Sequence, residues 1–174
     1  MKTIWEQFIN NDENAFAALF EETSGPLYKY GLKFMADEDT VKDCIQDLFI
    51  KLYKNRHSLP KLENPTFYLF RSLKNLLFDA ILQKEKVVYL SPQEISFHAD
   101  FFYDNQEEPV DDNIKEKFEE VVNSLSDRQK EAIYLRYQAD MSYDEISKLL
   151  DINYQSARNL VHRSIEKIRS AIKN

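Results

Sequence analysis

The sequence predicts an all-α protein built from two small helical domains joined by an acidic linker. The chain has 174 residues, and 43% of them are hydrophobic, which is ordinary for a chain that buries a core. Only 2 residues are glycine, too few for the many tight turns of an all-β sandwich or barrel. Apolar residues recur instead every three or four positions, which is the period of an amphipathic helix.

The formal net charge of -7 is concentrated in one segment. Residues 1–90 hold 12 basic and 13 acidic residues, residues 113–174 hold 11 and 10, and residues 91–112 hold none and 7. Acidic runs that contain proline resist folding. We therefore predict domains over 1–90 and 113–174 and a linker over 91–112, although Ser91 and Glu94 have the spacing of a capping box. Part of the linker is expected to pack on a neighbour because it contains the aromatic residues Phe97, Phe101, Phe102 and Tyr103.

Three long helices are predicted in the first domain. One covers 12–34 with a break or kink at Gly25 and Pro26, one covers 39–55 with the most regular amphipathic pattern, and one covers about 66–85. The residues expected to face inward are Phe16, Leu19, Phe20, Leu27, Tyr30 and Phe34 in the first, Val41, Cys44, Ile45, Leu48, Phe49, Leu52 and Tyr53 in the second, and Phe70, Leu73, Leu76, Leu77, Ala80 and Ile81 in the third.

The second domain is predicted to end in a helix-turn-helix. After a helix over 114–125, Ser126 with Gln129 and Ser142 with Glu145 form capping boxes that start the next two helices, the first with Ile133, Leu135 and Tyr137 as its apolar residues. A short helix, the turn 151–153 and a long helix from Tyr154 then follow. The shared core of this unit is expected to contain Ile146, Leu150, Ile152, Ala157, Leu160 and Val161.

The final helix is basic and is predicted to bind DNA. Its five cations, against the single acid Glu166, are Arg158, Arg163, Lys167, Arg169 and Lys173. Arginine, asparagine and glutamine can read base edges in a major groove, usually from the first turns of a recognition helix. The alternative is a solvated helix whose cations interact favourably with the partial negative charge at its C-terminus. The candidate DNA contacts are Tyr154, Gln155, Ser156, Arg158, Asn159, His162 and Arg163.

Segments in both predicted domains resemble those of a known family. Residues 125–169 resemble region 4 of bacterial sigma factors, and residues 39–56 with 64–81 resemble region 2. Their order and the short linker resemble the extracytoplasmic-function group, the minimal two-domain members of the sigma-70 family. The resemblance implies a transcription initiation factor that binds core RNA polymerase, recognises −35 DNA with the helix-turn-helix and helps to melt the −10 element.

The resemblance also implies a polymerase-binding patch on the second helix. Asp43, Gln46 and Asp47 match the region 2 motif that grips a coiled coil of the largest polymerase subunit. Their i, i+3, i+4 spacing places them together on the polar side of the helix. An ordinary solvated face is the alternative interpretation.

The 59–65 loop and the start of the next helix resemble the element that captures an unstacked base of the −10 element. Tyr68 and Asn75 lie where the family places base-contacting residues, and Asp79 follows Asn75 by one turn. A base that has left the stack needs a pocket, an aromatic face and hydrogen bonds to its edge. Phe67, Tyr68 and Phe70 are alternatively core residues, with Phe70 the strongest core candidate. The candidate phosphate contacts are Lys61, Arg71, Lys74, Lys84 and Lys86.

Three positions depart from the family pattern. Asp151 replaces the usual glycine of the helix-turn-helix, and Ser147 replaces a small alanine. Aspartate tolerates a left-handed backbone better than most residues, so the turn is still expected. Gln83 stands where an arginine is common, so the −10 contacts are less fully matched than the −35 contacts.

Other classes of protein fit the sequence poorly. No catalytic residues, metal ligands or cofactor are expected, because the 3 histidines are isolated and no glycine-rich phosphate loop exists. The single cysteine, Cys44, fits a reducing cytoplasm, and no apolar run reaches the roughly 18 residues of a membrane span. The N-terminus lacks the pattern of a signal peptide, so a cytoplasmic location is expected.

Two alternative functions are weighed against the sigma factor. One is a sigma mimic that binds an anti-sigma factor without touching promoters, which should lack the net +4 charge of the final helix. The other is a stand-alone helix-turn-helix repressor, which leaves the region 2 half unexplained. The family commonly has an anti-sigma factor that occludes both domains, so an anti-sigma factor is an expected partner, together with core RNA polymerase and promoter DNA.

Overall fold

The structure is a computed structural model that describes residues 1–85, 96–98 and 112–173. Those residues form eight α-helices and one 3-10 turn with no strand among them, which confirms the predicted all-α class. The chain divides into two compact units, Met1–Ile95 and Ser96–Asn174. This division falls inside the predicted linker, most of which, including the capping box at Ser91, lies outside the described residues. The bounds of the linker therefore stay a prediction.

Four helices build the first unit. They are α1 (Lys2–Ile9), α2 (Glu13–Gly31), α3 (Glu38–Asn55) and α4 (Pro65–Glu85), with the 3-10 turn Arg56–Ser58 after α3. The first of them, α1, was not among the predicted helices. It buries Trp5 and Phe8, and its end leads directly into Asp12, whose carboxylate caps α2 by accepting hydrogen bonds from the backbone N–H groups of Asn14 and Ala15.

Of the predicted break or kink at Gly25 and Pro26, the break is wrong, because α2 is one helix with Pro26 inside it. The kink stays a prediction. Proline removes one backbone donor and restricts the residue before it, and Gly25 has no Cβ to conflict with the proline ring. Leu19 on one side of Pro26 and Leu27 on the other are both fully buried. Burial of both halves against the same core stabilises the continuous helix despite the proline.

Helices α2 and α3 approach closely at Gly31. This residue is buried, and a Cβ added to it would lie 2.5 Å from Cγ1 of Val41 on α3. Real carbon atoms do not approach so closely without displacement, so the contact requires a glycine. Interiors are packed at crystal-like density, so the absence of a Cβ at Gly31 sets the distance between these two helices.

The inward face of α3 is confirmed at six of its seven predicted positions. Val41, Cys44, Ile45, Leu48, Phe49 and Leu52 are buried. Tyr53 is 38% exposed and Phe20 of α2 is 45% exposed, so the prediction that these two rings face inward is wrong. The two rings lie at the mouth of a groove between α2 and α3 that the helical period alone does not reveal.

The far end of α4 is tied to the start of α3 by Asp37. This carboxylate caps α3 by accepting the backbone N–H of Thr40 at 3.1 Å, and it also forms an ion pair with Lys84 near the end of α4. The hydrogen bond from Lys84, followed by those from Thr40, holds the pKa of Asp37 well below its usual range. Lys84 was predicted to be a phosphate contact; it is half exposed but already paired.

The second unit consists of four helices, three of which pack against the longest one. They are α5 (Asp112–Asn123), α6 (Asp127–Tyr137), α7 (Tyr143–Leu149) and α8 (Tyr154–Lys173). Both capping boxes are formed as predicted, at Ser126 and at Ser142. A cluster of Val121, Val122, Leu125, Ile133 and Ile168 joins α5, α6 and α8. Ile133 and Leu135 of α6 are buried, whereas Tyr137 at its end is 59% exposed.

One predicted linker aromatic packs on a neighbour, as expected. Phe97 is 1% exposed, and its ring meets that of Tyr134 edge-to-face at a centroid distance of 5.8 Å. Such aromatic pairs stabilise beyond the area that they bury. Phe101, Phe102 and Tyr103 lie outside the described residues, so the same expectation stays a prediction for them.

Substitution Gly31→Ala tests the close approach of α2 and α3. We expect it to lower the free energy of unfolding by about 1–3 kcal/mol, the usual cost of overpacking, although alanine alone favours helix. Urea unfolding followed by circular dichroism measures the change. The double variant Gly31→Ala/Val41→Ala is the control, because it removes the atoms that the new Cβ meets. A double variant that loses at least as much stability as the sum of the two single variants would contradict this explanation.

Candidate nucleic-acid and polymerase interfaces

The helix-turn-helix of the second unit is built from local signals in its sequence. Ser142 accepts the backbone N–H of Glu145 at 3.3 Å, and the Glu145 carboxylate accepts the backbone N–H of Ser142 at 2.8 Å. This reciprocal pair satisfies donors that the first turn of α7 leaves without intrahelical partners. Asn153 does the same for α8, since its side-chain oxygen accepts the N–H of Ser156 at 2.8 Å.

The turn between α7 and α8 depends on Asp151. Its φ is 53°, in the left-handed region that aspartate tolerates better than most residues. This left-handed conformation turns the chain back on itself. The N–H of Ile152 can then donate to the carbonyl of Ser147 at 2.9 Å, which closes the end of α7. The aspartate in place of the usual glycine therefore leaves the turn intact.

The core shared by α7 and α8 is confirmed in outline. Ile146, Leu150, Ala157 and Val161 are buried, while Ile152 and Leu160 are half-buried at its edge. Ser147, at the position of the usual small alanine, is also buried, and its hydroxyl donates to the carbonyl of Asp144 at 2.7 Å. These contacts set which side of α8 faces away from the domain.

All seven predicted DNA contacts on α8 are exposed. They are Tyr154, Gln155, Ser156, Arg158, Asn159, His162 and Arg163. Gln155 donates to the side-chain oxygen of Asn159 at 2.9 Å, which presents the two amides side by side. Two amides and a nearby arginine are the groups that form paired hydrogen bonds with base edges.

The cations of α8 have different surroundings. Lys167 donates to the carbonyl of Ser124 at 3.0 Å and so joins α8 to the end of α5. His162 lies 3.4 Å from the carboxylate of Glu166. Within the part of the chain that the structure describes, Arg158 and Arg163 form no salt bridge, so both guanidinium groups are available to an incoming phosphate or base.

In the first unit, the 59–65 loop enters α4 through a local cap. The side-chain oxygen of Asn64 accepts the backbone N–H of Phe67 at 3.3 Å, and Pro65 occupies the first helical position, where its missing N–H costs nothing. Lys61 is exposed on this loop. The backbone of the loop is irregular, so its shape depends on contacts with other parts of the unit.

Three of the predicted −10 contacts form one exposed stripe along α4. Arg71, Asn75 and Asp79 follow one another at intervals of four residues, and all three side chains are exposed. Tyr68 lies on the preceding turn and is half-buried, with its ring edge-to-face against Trp5 at 5.6 Å. Tyr68 is thus both a packed residue and an accessible aromatic face.

Lys74, one of the candidate phosphate contacts, lies in the interior of the first unit and not on its surface. Its side chain is buried at 7% exposure, and its ammonium group lies 5.6 Å from the ring centre of Phe34 and 5.3 Å from that of Phe78. Aromatic faces attract a cation, which offsets part of the cost of removing it from water. Phe70 is buried, in agreement with its interpretation as core, and Phe67 is half-buried. Lys86 lies outside the described residues.

The three residues of the predicted polymerase patch project from the outer side of α3. Asp43, Gln46 and Asp47 are all exposed, and Cys44 between them is buried. Burial, with a smaller contribution from the two nearby aspartates, raises the pKa of the Cys44 thiol. The thiol therefore stays protonated and packs as a small apolar group beneath the patch.

An apolar groove of about 900 Å³ runs beside this patch between α2 and α3. Phe16, Phe20, Phe49, Ile50 and Tyr53 line it, and Gln46 belongs to both the groove and the patch. Phe20 and Tyr53 line this groove, and their rings are therefore exposed, whereas the helical pattern predicts that they face inward. Apolar surface bordered by polar groups is typical of protein interaction sites.

Residues 1–85, 96–98 and 112–173 contain neither a metal-binding cluster nor a membrane-spanning helix. No group of three or more His, Cys, Asp and Glu side chains in them is arranged to hold a metal ion. No helix in them combines the length and the apolar character needed to cross a bilayer.

Two family models match the chain. The model described as Sigma-70 region 2 matches residues 19–87, and the model described as Sigma-70, region 4 matches residues 115–168. The first match contains α3, the 59–65 loop and α4, and the second contains the helix-turn-helix. Helix α1 lies before both matches.

Relatives with assigned names cover nearly the whole chain. The ECF RNA polymerase sigma factor SigW of Bacillus subtilis is 22% identical over 97% of this chain and 95% of its own length. SigM of the same organism is 22% identical over 87% of this chain and 91% of its own. Among solved structures, CnrH in complex with the cytosolic domain of CnrY matches with a TM-score of 0.62 at 17% identity, covering 99% of this chain and 96% of that one. RpoE in complex with the anti-sigma factor NepR, from Bartonella quintana, matches with a TM-score of 0.60 at 19% identity, covering 91% and 96%.

Proposed function

Because the chain belongs to the extracytoplasmic-function group of sigma factors, we propose that it directs RNA polymerase to its promoters through two separate DNA-binding surfaces. Promoter-directed initiation with RNA polymerase is the function of the family. The division of labour between the two units is the proposal. The comparisons do not favour the alternative of a sigma mimic that binds only an anti-sigma factor.

The first surface is α8, which reads the −35 element from the major groove. The observation that carries this assignment is the set of seven exposed polar and basic side chains at the start of α8, opposite the core shared with α7. Arg158, Gln155 and Asn159 read base edges, and Arg163 contacts the phosphate backbone. Lys167 supports α8 through Ser124 and does not contact DNA.

The second surface is the 59–65 loop with the exposed stripe of α4, which holds the melted −10 element. The loop captures one unstacked base, Tyr68 offers an aromatic face, and Asn75 and Asp79 bond to base edges. Lys61 and Arg71 supply phosphate contacts that carry no sequence information. Lys74 takes no part in phosphate binding because it is buried over two aromatic rings.

The polymerase binds at the outer side of α3. Asp43, Gln46 and Asp47 form the polar part of this contact, and the adjacent groove offers apolar area that an exposed charged face alone lacks. A buried apolar centre with a polar rim is the usual anatomy of a stable protein interface. The thiol of Cys44 stays beneath this contact.

An anti-sigma factor is a further proposed partner. The solved RpoE structure is a complex with the anti-sigma factor NepR, and this chain shares that fold over 91% of its length. We propose that an anti-sigma factor holds this protein inactive by covering its polymerase-binding surface.

No enzymatic reaction is assigned to the chain, because promoter recognition requires binding alone.

Transcription in vitro tests the proposed function. Adding the purified chain to core RNA polymerase on a library of promoter fragments should give run-off transcripts from a specific subset of them. Core polymerase alone on the same library is the control. Absence of specific transcripts across the library would contradict the assignment, and mapped start sites would define the −35 and −10 elements.

Substitution Arg158→Ala tests the −35 surface. We expect it to weaken binding to a mapped −35 duplex by about fivefold to a hundredfold, the range for loss of one good base contact. Fluorescence anisotropy at fixed salt measures the affinity. Arg169→Ala removes the same charge from an exposed position further along α8 and is expected to weaken binding far less. Equal losses of affinity in the two variants would mean that Arg158 attracts DNA only through its charge and reads no base.

The triple variant Asp43→Ala/Gln46→Ala/Asp47→Ala tests the polymerase patch. We expect at least about a tenfold loss in affinity for core polymerase, since residues central to an interface carry most of its binding energy. Folding is expected to persist, because alanine favours helix and the three side chains are exposed. Competition against the wild-type chain for core polymerase measures the loss. Glu21→Ala/Glu22→Ala removes two exposed acids from α2 as a matched control, and normal competition by the triple variant would refute the patch.

A further inference from the structure

The single tryptophan of the chain connects α1 to the 59–65 loop. Trp5 is fully buried, and its indole N–H donates to the backbone carbonyl of Pro60 at 3.0 Å. An indole has one donor and no acceptor, so this bond satisfies the only polar atom of the side chain. The same ring system meets the ring of Tyr68 edge-to-face, at 5.6 Å between ring centres.

Two further contacts connect the N-terminal segment to the same region. Lys2 donates to both carboxylate oxygens of Glu63, at 2.8 and 2.7 Å. Arg56, in the turn that precedes the loop, donates to the side-chain oxygen of Asn11 at 2.7 Å. Asn11 itself has a φ of 72°, which directs the chain from α1 into the cap of α2. Contacts from α1 and Asn11 thus reach the turn before the loop, the start of the loop at Pro60 and its middle at Glu63.

These contacts matter because the loop has an irregular backbone. Fixing each residue of an irregular segment costs conformational entropy of about 1–2 kcal/mol, which a helix or sheet offsets with its own ladder of hydrogen bonds. Discrimination between bases requires donors and acceptors held within a fraction of an ångström of their bound positions. A buried donor on a rigid helix supplies such a restraint.

We propose that α1 positions the base-capturing loop, with Trp5 as the positioning residue that sets both the Pro60 carbonyl and the Tyr68 ring. This inference rests on the proposed role of the loop in binding the −10 element. It assigns a function to α1, which lies outside the family match that begins at residue 19. Trp5 does not touch DNA; it acts through the loop.

Substitution Trp5→Phe tests the proposal, because it keeps an aromatic ring and removes the N–H. The measurement uses holoenzyme assembled from core polymerase and the full chain, with single-stranded oligonucleotides that carry each of the four bases at the mapped −10 position. The preference for the best base over the others should fall by about two- to tenfold, the factor that corresponds to one ordinary hydrogen bond. Affinity for core polymerase should stay unchanged.

Phe8→Leu is the matched control. Phe8 is 1% exposed, and its ring contacts those of Trp5 and Phe16 without a hydrogen bond to the loop. It should lower the melting temperature and keep the base preference. Equal loss of preference in both variants would overturn the positioning role in favour of a general effect on stability.

A charge exchange gives an independent test if Trp5→Phe does not fold. Lys2→Glu should lower the base preference by about 1.5- to fivefold, as loss of an exposed ion pair permits, and Lys2→Glu/Glu63→Lys should restore it. Failure of the double variant to restore the preference overturns the proposal. Absence of any base preference in the wild-type holoenzyme would instead refute the role of the loop in base capture, so the two failures are distinguishable.

Discussion

Val41, Leu48 and Leu52 of α3 are buried within the first unit, and their burial determines where the opposite side of the helix points. A helix turns by a fixed angle at each residue, so fixing one face fixes every other. Asp43, Gln46 and Asp47 therefore project outward as one patch. The close approach at Gly31 sets the distance of α2 from α3, and the groove that borders the patch lies between the same two helices.

In the second unit, the buried face of α8 likewise determines which of its side chains point outward. Ala157 and Val161 are buried against the core, and Arg158 and Asn159 between them face away from it. The left-handed backbone at Asp151 and the cap at Asn153 set the angle at which α8 leaves the turn. A rigid helix loses little conformational entropy on binding, which favours the base discrimination proposed for α8. Lys167 adds a second attachment, to the end of α5.

The loop between α3 and α4 has no such internal regularity and depends on tertiary contacts. Trp5, Lys2 and Asn11 restrain it from the N-terminal side, and the cap at Asn64 restrains it from α4. The ion pair of Asp37 with Lys84 joins the other end of α4 to α3. One unit thereby holds the proposed polymerase surface and the proposed −10 surface on elements that share a core.

The sequence by itself determined the helical class, the two capping boxes of the second unit, the six buried positions of α3 and the exposed side of α8. These features depend on periodicity and on hydrogen bonds between residues three or four apart, which are visible in the order of residues. The tertiary structure alone decided the burial of Lys74, the exposure of Phe20 and Tyr53, the continuity of α2 through Pro26 and the contact of Trp5 with Pro60. Each depends on partners distant in the sequence, because packing free energy outweighs the local preference of a charge, an aromatic ring or a proline.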